Sequence, residues 1–401
     1  MCPGERNKKT SPRHLAPLPF FNQPLFFFCP VSLSQVLGQW GDKPARSSGR
    51  AAKKPATAGE GDENAAGAAP APRSMSALLA ARSAGCGAPT TSAQHPPSST
   101  FLPCARPLAD IDARDAADPL SASAYAADIF AYYRRVEPAY RVGPDYMARQ
   151  ADINAKMRAI LVDWLVEVHL KFKLLPETLH LTAHLIDRFL ERREVSRKNL
   201  QLVGVTAMLV AAKYEEIWAP EVRDFVYISD RAYSRDQILA MEKLMLNTLG
   251  FALTVPTAHA FVGRCLKAVE GGAGAGAHVP SATCAAPPGA ADPALSHYAH
   301  YLAELALPEY GMLAHAPSAI AAGAVLAARA ALGRGGGSEW PAGLAAHSGV
   351  SRAAATAAAA ALAALAAKAP GAALHAVHKK YSSPKFGEVA RLPPPAAELA
   401  L

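Results

Sequence analysis

The sequence lacks the features that mark an enzyme or a metalloprotein. Only 18% of its 401 residues are charged, below the roughly 25% of ordinary globular proteins. No GxxxxGK[ST], GxSxG or HExxH motif occurs, and neither does a kinase HRD or DFG set, so no catalytic signature points to an active site. None of the six cysteines forms a CxxC pair, which leaves no zinc-ligand spacing. We therefore expect a protein that is not an enzyme, with free thiols, no metal and no cofactor.

Long apolar runs and dense charge clusters are scarce as well. Pro19–Val31 contains three prolines and Ile320–Leu332 is interrupted by Arg329, and both are too short to cross a bilayer. Met1–Thr10 is polar, unlike a signal peptide. The net charge of +8 is spread in pairs such as Lys53-Lys54 and not in the clusters of a DNA-binding arm. We expect neither a membrane nor a direct nucleic-acid partner.

Residues 1–118 are dominated by Pro, Ala, Ser and Gly and show little hydrophobic periodicity. Such a segment cannot bury enough apolar surface to offset its ordering entropy. The composition predicts a disordered tail. After it, an apolar spacing of i, i+4, i+7 and i+8 begins at Tyr125 and predicts a short helix, with a start signal at Asp118-Pro119.

Five further helices are predicted in residues 119–252. Their expected bounds are 152–172, 177–191, 197–214, a short helix from Pro220, and 234–249 ended by Gly250. The segment 197–214 is apolar nearly all round, which predicts a helix at the centre of a bundle. Since no segment alternates with a period of two, the fold class is all-α.

Residues 253–391 predict a second helical bundle, interrupted by an inserted Gly/Ala/Pro-rich loop at 271–293 and followed by a tail, 392–401. Its most alanine-rich helix, 353–368, has few large side chains and is expected to pack thinly. The sequence thus predicts two tandem helical bundles of similar size after a disordered tail.

Four ordered blocks resemble the cyclin box of B-type mitotic cyclins. They are MRAILVDWLVEVHLKFKL from Met157, ETLHLTAHLIDRFL from Glu177, KNLQLVGVTAMLVAAKYEE from Lys198 and ILAMEKLMLNTLGF from Ile238. HKKYSSPKF from His378 resembles the end of a second cyclin fold. The resemblance implies two tandem cyclin folds and a regulatory subunit that binds and allosterically activates a cyclin-dependent protein kinase at the G2/M transition.

The resemblance also implies two binding surfaces and one structural pair. Residues matching the kinase-binding positions are Lys213, Glu242, Phe251, Leu249, Ile129 and Tyr132. Residues matching the hydrophobic patch that docks Arg-x-Leu motifs of substrates or inhibitors are Met157, Ile160, Leu161, Trp164, Glu167, Leu200 and Gln201. Arg158 and Asp187 match an ion pair that joins two helices of the box.

Simpler interpretations of the same residues stay open. Lys213 and Glu242 suit an internal salt bridge, and the Met and Trp stripe suits plain core. His180 and His184 have the i, i+4 spacing of metal ligands, but no third ligand is identifiable and surface histidines are far commoner. Rival functions are a transcription-type cyclin or a TFIIB-like nucleic-acid-associated factor, and a plain helical scaffold.

The resemblance fails at one point. The tail of a B-type cyclin normally carries an RxxL destruction box, and no arginine before residue 118 has leucine three places on. Asp62-Glu63-Asn64 differs from a KEN box at its first residue. Regulated destruction is therefore not predicted, and neither is a nuclear import signal. From the resemblance we expect the protein in the nucleus and the cytoplasm.

Overall fold

The computed structural model describes residues 110–271, 292–334 and 340–395. The predicted disordered tail up to residue 109, nearly all of the predicted insertion and residues 396–401 lie outside these ranges. The described residues form α-helices and short 3-10 turns and contain no β-strand. The expected all-α class is confirmed.

Among the described residues, two groups of five helices follow one helix, and a short helix comes after them. The N-terminal helix is α1, Ser123–Tyr140. The first bundle contains α2, Ala155–Phe172; α3, Pro176–Arg192; α4, Arg197–Glu215; α5, Val222–Ile228; and α6, Arg235–Leu249. The second contains α7, Ala258–Gly271; α8, Pro293–Leu305; α9, Pro317–Ala331; α10, Ala342–His347; and α11, Arg352–Lys368, and the closing helix is α12, Ala376–Tyr381.

Helix α4 forms the centre of the first bundle, as its apolar circumference predicts. Every residue from 200 to 212 is buried, and α2, α3, α5 and α6 pack around it. At Gly204 an added Cβ would lie 2.7 Å from Cδ1 of Leu161 on α2, so the two helices meet where the side chain is smallest. This packing fixes which residues of α2 face inward.

Local signals set the ends of α2 and α6. The Asn154 side chain accepts a hydrogen bond from Met157 N at 3.0 Å, so α2 begins at Ala155 and not at the predicted Asp152. Ser234 and Gln237 form a capping box at the start of α6, and Gly250 ends it with φ of +61°. The chain therefore leaves α6 in a left-handed turn that continues through Phe251, where φ is +56°.

Helix α9 holds the same central place in the second bundle. It packs against α7, α8 and α11, and residues 318–328 on it are buried except Ile320. A Cβ added at Gly323 would lie 2.8 Å from Ala359 N and 2.9 Å from Ala355 O of α11. The two backbones are thus in direct contact. The expectation of thin packing is wrong, because small side chains let these helices approach closely.

Helix α11 and the turn after it, Arg352–Gly371, form the one segment of the described residues that is long and apolar enough to cross a membrane by length and composition. Its stripe of small apolar residues, including Ala355, Ala359 and Leu362, is buried in the bundle. That is the behaviour of a core helix in a helical bundle.

The ordered N-terminal part begins earlier than residue 119. Ile111 and Asp112 are buried, and a 3-10 turn spans Ala113–Asp115. Asp118 caps a second turn, Pro119–Ser121, by accepting from Leu120 N. The composition of the tail gives no sign of this packed stretch, because its burial depends on distant partners.

Histidines line the contact between the bundles. The rings of His180 on α3, His259 on α7 and His300 on α8 follow one another with centroid distances of 5.5 and 5.0 Å. His180 is buried, and His184 is half-buried with its Nε2 shielded and unpartnered. The expected surface location of these two histidines is wrong. No group of side chains able to hold a metal occurs among the described residues.

Candidate functional site

Lys213 and Glu242 bring α4 and α6 together at the surface. Lys213 lies in the last turn of α4, Glu242 lies in the middle of α6, and Nζ and Oε1 are 2.7 Å apart. The lysine side chain is 47% exposed and the glutamate side chain 14%. The pair is thus an internal salt bridge in the free protein, and its charged atoms are open to a partner from one side.

Bulky apolar residues lie exposed just after α4. Ile217 is 90% exposed and Trp218 is 91% exposed. Such residues are costly to leave in water and mark interaction surfaces when they occur together. A groove of about 490 Å³ beside Lys213 is lined by Pro220 of the following loop, by Arg223 of α5 and by Arg235 of α6. The sequence interpretation missed Ile217 and Trp218, although two large apolar residues between a buried helix and a proline were a usable signal.

Phe251 and Leu249, at the end of α6, differ in solvent exposure. Phe251 is 65% exposed, and its N–H donates to Leu246 O at 3.0 Å. Leu249 is buried at 2% exposure, because it completes the inward stripe of α6 with Ile238 and Met245. Leu249 is therefore not accessible in the free chain, and its contact with a partner stays a prediction.

Helix α1 presents aromatic and aliphatic side chains to solvent. Tyr125, Ile129 and Tyr132 are 68%, 37% and 42% exposed. Tyr133, predicted on the same face, is half-buried and stacks edge-on against Phe261 of α7 at 6.3 Å. The side chains of Ile129 and Tyr132 are thus available to a partner.

Only part of the predicted substrate patch is accessible. Met157, Leu161 and Leu200 are core residues with 7%, 0% and 0% exposure, so their side chains are not accessible in the free chain and their docking role stays a prediction. They face inward because α2 packs on α4. The accessible members are half-buried Ile160 and Trp164, with exposed Glu167.

Gln201, a predicted member of the patch, is buried and has an unpartnered amide oxygen. The residue is 3% exposed, and its Oε1 has no hydrogen-bond partner. A buried amide oxygen without a partner costs free energy, so a docked peptide N–H that reached it would be favoured. Gln201 is the fifth residue of α4, within the stretch from 200 to 212 in which every residue is buried.

Arg158 and Asp187 form a buried bidentate ion pair. Nε–Oδ1 is 2.6 Å and Nη2–Oδ2 is 2.7 Å, and the side chains are 2% and 4% exposed. Tyr146 donates its hydroxyl to Asp187 Oδ1 at 2.8 Å, and burial together with that carboxylate raises the pKa of Tyr146. Arg158 Nη1 also donates to the carbonyls of Leu307 and Pro308 at 2.9 and 3.1 Å. The pair therefore joins α2 to α3 and the first bundle to the second.

Two family models match the two bundles in order. The model "Cyclin, N-terminal domain" matches residues 128–254, and "Cyclin, C-terminal domain" matches residues 256–395. The match boundary lies between α6 and α7, where the structure separates the bundles. Both bundles are thus cyclin folds.

Similar curated proteins indicate the type of cyclin. The chain is 47% identical to Cyclin-B1-1 of Oryza sativa subsp. japonica over 292 residues, and 45% identical to Cyclin-B2-1 of the same plant over 287 residues. These matches cover 73% and 72% of this chain, which spans 61% and 63% of the length of the two rice proteins. It is 43% identical to G2/mitotic-specific cyclin-2 of Medicago sativa, covering 72% of this chain and 81% of that protein. The chain therefore belongs to the cyclin family and, within it, to the B-type mitotic cyclins.

Proposed function

We propose that the chain is a regulatory subunit that binds a cyclin-dependent protein kinase, activates it and thereby acts at the G2/M transition. The supporting observation is that Phe251, Ile129 and Tyr132 are exposed, and that Lys213, paired with Glu242, is 47% exposed. Together these residues combine apolar side chains with charged hydrogen-bonding groups, the composition that protein interfaces use.

The proposed mechanism contains no bond chemistry in this chain. Lys213 and Glu242 exchange their mutual salt bridge for hydrogen bonds to a docked kinase helix, while Phe251 and Trp218 lose their exposure to water. Kinase activity rises because this chain binds the active arrangement of the kinase more tightly than the inactive one.

The test is co-purification of the full chain with a mitotic cyclin-dependent kinase, followed by a histone kinase assay. The variant Lys213→Ala/Glu242→Ala is expected to lose binding and activity while staying folded. Its matched control is Asp152→Ala/Arg197→Ala, which deletes another exposed salt bridge of 2.7 Å in the same bundle and is expected to bind normally. A folded wild-type chain that binds no kinase, but binds DNA with a steep salt dependence, would favour the nucleic-acid-associated alternative.

We also propose that Ile160, Trp164 and Glu167 receive Arg-x-Leu motifs of substrates or inhibitors. Glu167 is exposed and free to meet the arginine, and Trp164 offers an apolar wall. A fluorescent Arg-x-Leu peptide is expected to bind the wild-type chain and to bind Glu167→Lys much more weakly. Glu194→Lys, which makes the same exchange at an exposed loop residue, is the control. Equal peptide affinity in all three proteins would contradict the assignment.

The proposed locations are the nucleus and the cytoplasm, and imaging of a fluorescent fusion through the cell cycle tests this. Retention in one compartment at every stage would contradict it.

A further inference from the structure

Helix α1 carries two of the proposed kinase contacts, and three of its side-chain contacts lie on the second cyclin fold. Glu137 is buried, accepts from Ser318 N at 2.7 Å and accepts the Ser318 hydroxyl at 2.8 Å. Ser318 is the second residue of α9, the central helix of the second bundle. The glutamate therefore binds the start of that helix through two hydrogen bonds.

Two more contacts hold the same helix to the same bundle. Arg134 Nη1 donates to His347 O at the end of α10 at 3.2 Å. The rings of Phe130 and Tyr133 both lie 6.3 Å from the ring of Phe261 on α7. Against the first bundle, Arg188 lies over the ring of Tyr140 at 5.1 Å and His184 hydrogen-bonds the Tyr140 backbone, both at the last residue of α1.

The segment before α1 is fixed to the second bundle as well. Arg264 Nη1 lies 2.5 and 2.6 Å from the two carboxylate oxygens of Asp112, in a pair whose side chains are 6% and 10% exposed. Lys267 pairs with Asp115. Residues 112–137 thus follow the surface of the second bundle, with buried charged groups at both ends.

From these contacts we infer that the second cyclin fold sets kinase affinity by positioning α1, with Glu137 as the positioning residue. This inference rests on the proposed kinase binding. Lys213, Glu242 and Phe251 belong to the first bundle, whereas Ile129 and Tyr132 are held by the second. Both halves of the surface reach one partner only when α1 is correctly placed, so loosening α1 lowers affinity without touching any contact residue.

Affinity measurements on a mutant cycle test the inference. Glu137→Ala is expected to weaken kinase binding by about tenfold, the size expected when a buried charge-assisted hydrogen bond is lost. In the background Ile129→Ala/Tyr132→Ala the same change is expected to add less than about twofold, because α1 then has no kinase contact left to position. Equal losses in both backgrounds would overturn the inference, since they would show that Glu137 acts through something other than α1.

A milder variant and a readout without kinase complete the design. Ser318→Ala is the variant to use if Glu137→Ala does not fold. It removes only the hydroxyl donor from the other partner, and we expect it to cause a smaller loss of kinase affinity. Hydrogen exchange of the free chain is expected to show faster exchange of α1 amides in either variant, and no change in the exposed control Glu194→Ala. Unchanged exchange and unchanged affinity in the variants would overturn the inference. If α1 exchanges faster in the variants but the wild-type chain binds no kinase, only the proposed function is overturned.

Discussion

At the scale of single residues, we expect the Arg158–Asp187 pair to matter most for stability. The guanidinium group satisfies a carboxylate of α3 and two backbone carbonyls that belong to Leu307 and Pro308. Removing the carboxylate leaves a buried cation and an unpartnered Tyr146 hydroxyl. Breaking a buried pair in this way typically costs much more than the pair contributes when intact.

We expect Asp187→Ala to lower the free energy of unfolding by about 3–5 kcal/mol. Urea titration followed by circular dichroism measures this. Asp152→Ala breaks an exposed pair whose side chains are 44% and 40% exposed, so its loss should stay below about 1 kcal/mol. Equal midpoints for the two variants would show that burial does not govern the difference.

The sequence predicted residue types better than residue exposure. Arg158 and Asp187 were identified from their matching positions, but Leu249, Leu161 and Leu200 were assigned to surfaces and are in the core. A helix with apolar residues on more than one side does not reveal which of them faces inward. The two neighbouring helices decide that, and they are distant in the sequence.

At the scale of helices, the close contact of α9 with α11 depends on one glycine. A methyl group at Gly323 would meet two backbone atoms of α11 within 3 Å. Backbone cannot move aside as a side chain can, so the two helices would have to separate. Sequence composition alone could not show this contact, because most residues of both helices are alanine and any of them could have faced the partner.

We expect Gly323→Ala to destabilise the chain by about 1–3 kcal/mol through overpacking. Gly263→Ala on α7 is the matched control, because nothing lies within 4 Å of its added methyl group. Alanine is the better helix former by about 1 kcal/mol, so that control is expected to be neutral or stabilising. Thermal unfolding of both variants gives the comparison, and two changes of the same sign would contradict the packing argument.

Between the bundles, burial lowers the pKa of His184 and of His259 to about 4 and that of His169 to about 3. Around His259 the facing groups are Glu177, His300 and Lys380, and only the carboxylate favours the charged form. The folded chain holds these rings neutral. The unfolded chain protonates them near pH 6.5.

Because the unfolded state binds more protons between pH 6.5 and about 4, the free energy of unfolding should fall as pH is lowered through that window. Urea midpoints at pH 7, 6 and 5 measure the slope. We expect His259→Gln to flatten it. A slope that is identical in the wild type and in this variant would contradict the assignment.

At the scale of the whole molecule, the sequence predicted the architecture and missed the connections. The two tandem bundles, and α4 as the central helix of the first, follow from patterns within each segment. The contacts of Glu137 with Ser318 and of Asp112 with Arg264 join residues 181 and 152 positions apart. No local sequence pattern predicts these contacts. The anchoring of α1 on the second fold is therefore visible only in the structure.

The alanine-rich core of the second bundle has a consequence for temperature. Buried alanine loses no rotamer freedom on folding, and each one removes little apolar surface from water. The heat-capacity change of unfolding follows the apolar area exposed. The second fold should therefore contribute less curvature to the stability of the chain than the first, whose core holds leucine, valine and phenylalanine. Cooling and warming would then change the stability of the two folds by different amounts. The anchoring of α1, which contacts both folds, would change with them.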